Sequence, residues 1–145
     1  LRRPRVRQAR RAEKRMRLFT VAEADALIPE LENIFEAIAE LAASAEVKAA
    51  ALRRRQDSGV EDPATSAIER SQLQFLAAGI NERMQKIVDM GAVPKGIEPA
   101  LVDFPSRVEG REAYLCWKLG EKRVAFYHPV GEGFATRKPI PRARR

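Results

Sequence analysis

The amino-acid sequence predicts an α+β fold, in which a long antiparallel two-helix hairpin is followed by a small three-stranded antiparallel β-meander. Apolar residues recur every three or four positions through most of the first 90 residues, which is helical spacing. One segment rich in turn-forming residues interrupts this pattern before residue 64. Beyond residue 92 the pattern changes to short aromatic and β-branched runs separated by turn residues, which is typical of antiparallel strands.

The first helix is predicted over residues 21–55. Thr20 and Glu23 form a capping-box pattern, in which each side chain accepts a hydrogen bond from the other residue's backbone amide. Pro29 removes one intrahelical hydrogen bond, so we expect a bend or a restart of the helix near it. The apolar seam of this helix consists of Leu27, Leu31, Ile34, Ile38, Leu41, Ala45 and Leu52.

A second helix is predicted over residues 64–90, after a turn segment at 56–63 that contains a glycine, a proline and three acidic residues. Gly91 follows the helix directly and fits a C-cap. The short connection predicts that the two helices pack antiparallel. The seam of the second helix consists of Leu73, Leu76, Ile80, Met84 and Ile87.

The sheet is predicted over residues 101–128, with strands at 101–104, 111–118 and 123–128. Alternation divides each strand into two faces, and we expect the more apolar set of each strand to pack on the helices. The sequence does not determine the register between strands. The two sets expected to face the helices are Ala113, Leu115 and Trp117 in the second strand, and Val124, Phe126 and His128 in the third.

The net charge of +7 is concentrated in the two ends of the chain. Residues 1–17 carry +8 and residues 137–145 carry +5, so the body between them carries −6. We interpret residues 1–15 as a disordered basic extension, residues 16–136 as one α+β domain, and residues 137–145 as a basic tail. Because the regular pattern begins just after Met16, we expect the natural start there, and such a chain has a net charge of zero.

Several classes of protein are excluded by composition. No apolar run reaches the roughly 18 residues that a membrane span needs, and the first residues lack the apolar core of a secretory signal. The single cysteine, Cys116, excludes an internal disulfide framework and favours a cytoplasmic location. No glycine-rich phosphate loop is present, so no cofactor is predicted.

Two segments of the sequence resemble a bacterial family catalogued as domain of unknown function 2203. The first segment is Arg17–Leu31, and the second runs from Leu101 to Glu121 and continues with residues 124–128 and Gly133-Phe134. The resemblance spans about Met16 to Pro139, with Tyr127 where the family pattern has tryptophan. It implies a small cytoplasmic protein that begins near Met16, and it implies no catalytic residues.

His128 and Cys116 are the candidate catalytic residues, although no catalytic residue is firmly predicted. His128, the only histidine, has the chemistry of a general base, with Asp103 or Glu109 to orient it and Cys116 as a nucleophile beside it. The alternative is a structural histidine and a buried thiol that behaves as a small apolar group. No metal site is predicted, because one histidine and one cysteine lack structural zinc spacing; Asp103, Glu109 or Glu112 would have to complete such a site.

A group of arginine, aromatic and histidine side chains is the candidate ligand-binding set. Guanidinium groups recognise carboxylate or phosphate, and aromatic rings stack on planar ligands, so this set suits a small anionic molecule. The alternative is surface arginines paired with nearby acidic residues. The set consists of Arg107, Arg111, Trp117, Tyr127, His128 and Arg137.

The leading functional hypothesis is a noncatalytic interaction or adaptor module that acts through the helical hairpin and the Arg/aromatic face of the sheet. A homodimer through the hairpin, as a four-helix bundle, and an unidentified protein partner both agree with it. The alternative is a small-molecule binding protein or small enzyme with its site around Asp103, Arg111, Cys116 and His128. A third hypothesis is weak binding of RNA by the basic tails.

Overall fold

The computed structural model describes residues 17–59 and 62–141. The predicted basic extension, the expected start at Met16 and the last four residues of the basic tail lie outside the described residues. The α+β class is confirmed, because two helices precede an antiparallel sheet. The elements are α1 (Val21–Ser58), α2 (Pro63–Asp89), β1 (Val93–Ile97), β2 (Ala100–Val108), β3 (Arg111–Lys118), β4 (Phe126–Pro129), a 3-10 turn (Phe134–Thr136) and β5 (Lys138–Pro139).

Five strands form the sheet, in the order β1-β2-β3-β4-β5, where the sequence predicted three. The two additional strands are the two edges. β1 contains Pro94, which lacks a backbone donor and is tolerated at a sheet edge, and β5 has only two residues. The strands therefore form a simple meander in which each strand pairs with the next one in the chain.

The described chain divides into two compact units. One unit contains Glu32–Lys86, which is most of the helical hairpin. The other contains the first turns of α1, the end of α2 and the whole sheet. None of the described helices combines the length and the apolar content needed to cross a membrane.

The predicted capping box begins α1. The backbone N–H of Glu23 donates to Thr20 Oγ1 at 3.1 Å, and the backbone N–H of Thr20 donates to Glu23 Oε1 at 3.0 Å. The other oxygen of Glu23 accepts from the guanidinium of Arg17 at 2.9 Å. The helix then continues through Pro29 as one element rather than restarting there, so the loss of one hydrogen bond is tolerated within a 38-residue helix.

Glu23 gives a prediction about acid stability. The backbone hydrogen bond from Thr20, followed by the Arg17 hydrogen bond, lowers the pKa of Glu23 from 4.5 to about 2. A lowered pKa stabilises the folded state above the unfolded-state value, and this contribution disappears as the pH falls from 4.5 to about 2. We expect the stability advantage of the wild type over Glu23→Gln to shrink through this interval, as measured by urea unfolding at several pH values. A constant difference across the interval would contradict the assignment.

The hairpin unit has antiparallel helices, as predicted. Leu41 of α1 lies against Gly79 of α2, where a built Cβ would stand 3.3 Å from Leu41 Cδ1. Lys48 Nζ donates to Gln72 Oε1 at 2.8 Å, and Arg55 forms an ion pair with Glu69 nearer the turn. Later residues of α1 therefore contact earlier residues of α2, which is the arrangement of two antiparallel helices. Gly91, with a φ of 93°, ends α2 in the left-handed conformation that the C-cap prediction requires.

The β2–β3 hairpin determines which residues of the sheet share a face. Its two-residue turn contains Glu109 at φ 52° and Gly110 at φ 77°, the positive values that suit a tight hairpin turn. The strands pair in continuous register from Leu101 with Lys118 to Val108 with Arg111. Directly paired residues in antiparallel strands lie on the same face.

One face of the sheet contacts the segment that leads into α1. Phe104 lies edge-on to Phe19 with ring centroids 5.1 Å apart, and Ser106 Oγ donates to the Phe19 carbonyl at 2.6 Å. Leu115 and Trp117 share this face with Phe104, and both are almost completely buried. The prediction that Ala113, Leu115 and Trp117 share one apolar face therefore agrees with the structure.

The corresponding prediction for the third strand is wrong. Phe126 pairs with Cys116, and His128 pairs with Tyr114, so neither lies on the face that carries Leu115. Tyr127 pairs directly with Leu115 and therefore lies on that face, which we call the inner face. The strand also begins later than predicted, because the backbone N–H of Val124 donates to the Asp25 carboxylate of α1 at 2.6 Å.

Candidate functional site

Three side chains with potential catalytic or metal-ligating chemistry meet on the other face of the sheet, which we call the outer face. Asp103 of β2 pairs directly with Cys116 of β3, and His128 of β4 stands diagonally beside Cys116. One donor atom from each of the three lies within 4.8 Å of the other two, and all three residues are buried. We call these three residues the sheet cluster. The register of β2, β3 and β4 assembles it, since its members are 13 and 12 residues apart in sequence.

Both ring nitrogens of His128 face acceptor oxygens. Nδ1 lies 3.0 Å from the carbonyl oxygen of Pro129, and Nε2 lies 2.9 Å from Asp103 Oδ2. A neutral ring carries a proton on one nitrogen only, so in that state only one of the two contacts is a hydrogen bond.

Cys116 lies in surroundings that disfavour its thiolate. Burial, and secondly the negative charge of Asp103, raise the pKa of Cys116 from 9.0 to about 11, and this outweighs the opposing effect of Arg137. The thiolate is the nucleophilic form of cysteine, so this thiol is a poor nucleophile at neutral pH. The geometry thus brings the predicted Cys/His/Asp set together but does not activate it for nucleophilic catalysis.

Arg137 lies beside the cluster and is held in place by three side chains. Its guanidinium makes two hydrogen bonds to the carboxylate of Glu121, at 2.9 and 3.0 Å. It also stacks on Phe126 and Phe134, with its central carbon 4.0 and 4.3 Å from the ring centroids. Burial alone would lower the pKa of Arg137, but the hydrogen bonds and charge of Glu121 raise it above its ordinary value. The Arg137 charge is therefore permanent and is balanced locally by Glu121.

The predicted ligand-binding residues occupy both faces of the sheet. His128 and Arg137 lie with the sheet cluster. Trp117 is fully buried on the inner face, where its indole N–H donates to the Glu121 carbonyl at 2.9 Å. Tyr127 also belongs to the inner face, through its pairing with Leu115.

Arg107 and Arg111 stand at the far end of the β2–β3 hairpin, where both are exposed. Arg111 pairs with Val108 and therefore lies on the inner-face side, away from the sheet cluster that the sequence grouped it with. Glu109 occupies the hairpin turn and Glu112 is exposed opposite Arg107, so Asp103 is the carboxylate that reaches His128. Of the four residues of the small-ligand hypothesis, the structure assembles three.

Sequence reasoning missed Phe126 and Phe134 as partners of Arg137. Glu121 was among the acidic residues that the alternative interpretation paired with the arginines, and it accepts from the Lys118 amide at 2.7 Å and pairs with Arg137. The alternation of β4 placed Phe126 and His128 together but on the wrong face. No spacing in the sequence connects Phe134 with residue 126, because the loop between them has no regular period.

A second candidate surface lies on the hairpin unit. Ile68 and Phe75 of α2 are 60% and 79% exposed. They lie on the same face of the helix, because they are about two helical turns apart. They line an apolar groove to which Lys48 of α1 also contributes. We call this surface the hairpin groove; its lining residues are Lys48, Ala67, Ile68, Ser71, Gln72, Phe75 and Leu76.

The architecture and its two surfaces define a small α+β protein built from a helical hairpin and a five-stranded meander. A family model described as "Uncharacterized conserved protein (DUF2203)" matches residues 17–140. The chain belongs to this family, as the resemblance in the sequence predicted. A search of curated proteins found no match, and neither did a search of solved structures.

Proposed function

We propose that the protein is a noncatalytic interaction module that self-associates through the hairpin groove. The observation that carries this proposal is the exposure of Phe75, a large aromatic side chain left 79% accessible beside an apolar groove. Contiguous exposed apolar surface of this kind is characteristic of interaction sites. The partner in the proposal is a second copy of the same chain.

The incomplete burial of the hairpin seam supports self-association. Leu41 and Leu52 of α1, and Leu73, Leu76 and Ile80 of α2, are only half-buried within the described hairpin. Two helices alone form a thin core, whereas two hairpins together form a four-helix bundle that encloses such a seam. A second copy would therefore bury apolar surface that the single hairpin leaves accessible to water.

The shape of the surface also suits a twofold-symmetric contact. Such a contact uses the same patch on both copies, so the patch must be complementary to itself. Phe75 is 79% exposed and lines the groove together with Ala67, Ile68 and Ser71. In a symmetric pair, each Phe75 ring enters the groove of the other copy.

The test is the substitution Phe75→Asp, assayed by sedimentation velocity over a range of protein concentrations. Burying one phenylalanine side chain is worth about 1.5–3 kcal/mol, and a symmetric dimer loses two of them. We therefore expect the association constant to fall by about 100-fold or more. Because Phe75 is exposed in the single chain, the variant should keep the wild-type helix content.

Val130→Asp is the matched control. Val130 is 56% exposed but lies in the sheet unit, outside the hairpin groove. We expect this variant to associate as the wild type does. A wild-type protein that stays monomeric at all concentrations tested would overturn the proposal, and so would equal weakening by both substitutions.

A further inference from the structure

We propose that the sheet cluster of Asp103, Cys116 and His128 is a binding site for a divalent transition-metal ion, with zinc as the preferred ion. The three side chains offer one oxygen, one sulfur and one nitrogen donor, all buried and within 4.8 Å of one another. The site lies in the sheet unit, so this inference is independent of self-association through the hairpin groove.

The orientation of His128 is that of a metal ligand. Histidine ligands commonly donate their second ring N–H to a backbone carbonyl, which fixes the tautomer and directs the other nitrogen at the ion. Here Nδ1 faces the Pro129 carbonyl at 3.0 Å, and Nε2 faces Asp103 Oδ2 at 2.9 Å. Nε2 and the carboxylate of Asp103 are therefore already directed at the same point.

The distances require only small movements. Zinc–ligand bonds of about 2.0–2.3 Å in a tetrahedral arrangement separate the ligand atoms by roughly 3.3–3.8 Å. The three donor atoms lie within 4.8 Å of one another, so the widest pair has to close by at most about 1–1.5 Å. Nε2 of His128 and Asp103 Oδ2 are 2.9 Å apart and instead have to separate by about 0.5 Å.

The charge balance favours exchange of an ion for protons. A thiolate, a carboxylate and a neutral imidazole together carry two negative charges, so a divalent ion bound by them gives the site a net charge of zero, with any protons on the ligand atoms released to the solvent. Burying no additional net charge avoids the main cost of ions in protein interiors. Arg137 lies close enough to Cys116 to lower its pKa, and its charge is partly balanced by the ion pair with Glu121.

The donor set selects the class of ion. Calcium and magnesium prefer oxygen ligands only, whereas a mixed set of sulfur, nitrogen and oxygen suits zinc and its neighbours in the first transition row. The cluster provides three protein ligands within the part of the chain that the structure describes. Three protein ligands leave a fourth position for water or another small ligand.

The test uses the untagged full chain, with zinc and cobalt(II) as probes. The chain contains one cysteine and one histidine, so the sulfur and nitrogen ligands can be assigned without ambiguity. We expect one zinc ion per chain in competition with a chromophoric chelator. With cobalt(II), we expect a thiolate-to-metal charge-transfer band and the d–d bands of a tetrahedral site.

Cys116→Ser should abolish the charge-transfer band. Asp103→Asn and His128→Gln should each weaken zinc binding by at least about 100-fold, which is more than the loss of a residue that only hydrogen-bonds to a metal ligand usually causes. Glu112→Gln is the matched control, because Glu112 is an exposed carboxylate on the same strand, and this variant should leave binding unchanged.

Should a ligand variant fail to fold, as judged by circular dichroism, the cobalt spectrum of the wild type decides the question. Absence of binding at free metal concentrations on the order of 100 μM would overturn the proposal. Binding without a thiolate band, or equally weakened by Glu112→Gln, would also overturn it.

Discussion

Replacing Trp117 with alanine is expected to lower the free energy of unfolding by about 3–5 kcal/mol, the range for large aromatic residues removed from a core. Trp117 is completely buried on the inner face of the sheet, where it pairs with Val102. Its indole N–H also donates to the Glu121 carbonyl at 2.9 Å, so alanine removes both apolar contact and a hydrogen-bond donor. Urea unfolding followed by circular dichroism measures the loss.

Two further variants separate the causes. Trp117→Phe keeps an aromatic ring but loses the indole donor, so we expect a smaller loss than for alanine. Phe75→Ala removes an aromatic side chain that is 79% exposed, and at protein concentrations that keep the chain monomeric we expect a change within about 0.5 kcal/mol. If Trp117→Ala cost no more than Phe75→Ala, the inner face of the sheet would not be the core that the structure describes.

Replacing Asp103 with leucine is expected to destabilise the metal-free protein by about 3–5 kcal/mol, because removal of one member of a buried pair leaves the other unsatisfied. Asp103 and His128 are both almost completely buried and are joined by a 2.9 Å hydrogen bond. In the variant, Nε2 of His128 has no carboxylate to share its proton. Urea unfolding in the presence of a metal chelator measures this loss without any contribution from bound ions.

A double-mutant cycle tests whether this cost arises from the pair. We expect His128→Phe to destabilise by a similar amount, and the double variant Asp103→Leu/His128→Phe to lose clearly less than the two single losses combined. An apolar pair of this kind often replaces a buried ionic pair with little cost. Strictly additive losses would show that the two side chains do not depend on each other, which would contradict the hydrogen bond in the structure.

The weak nucleophilicity of Cys116 bears on the function of the sheet cluster. The raised pKa of Cys116, due first to burial and then to Asp103, makes the thiol a weak nucleophile in the metal-free protein. The same burial and proximity are compatible with coordination, because a bound cation reverses the local preference for the protonated thiol. The raised pKa therefore opposes covalent catalysis by Cys116 but does not oppose the proposed metal coordination.

Much of the helical part of the fold could be predicted from local sequence. Thr20 and Glu23 mark the start of α1 because a capping box needs only residues three apart. Gly91 marks the end of α2 because a positive φ at that position depends on one residue. The antiparallel hairpin follows from the short connection, and α1 runs through Pro29 as the single helix that the apolar seam predicted.

The sheet was predicted less completely. β1 and β5 were missed because prolines and short length hide edge strands from a pattern of alternation. Asp103, Cys116 and His128 were each named as candidates, yet nothing local to them shows that they meet. Arg111 and Trp117 were grouped with them by closeness in sequence, although alternation along a strand places neighbouring side chains on opposite faces.

The sequence alone determined the α+β class, the helix ends and the identity of the residues with chemical potential, because these depend on composition and on spacings within a few turns of chain. The tertiary structure alone decided that Asp103, Cys116 and His128 share one buried point. Their meeting depends on the register of β2, β3 and β4, and a shift of one residue would move every side chain of a strand to the other face. That register is fixed by long-range contacts, such as Phe104 against Phe19, and by the Asp25 carboxylate that binds the Val124 amide before β4 begins.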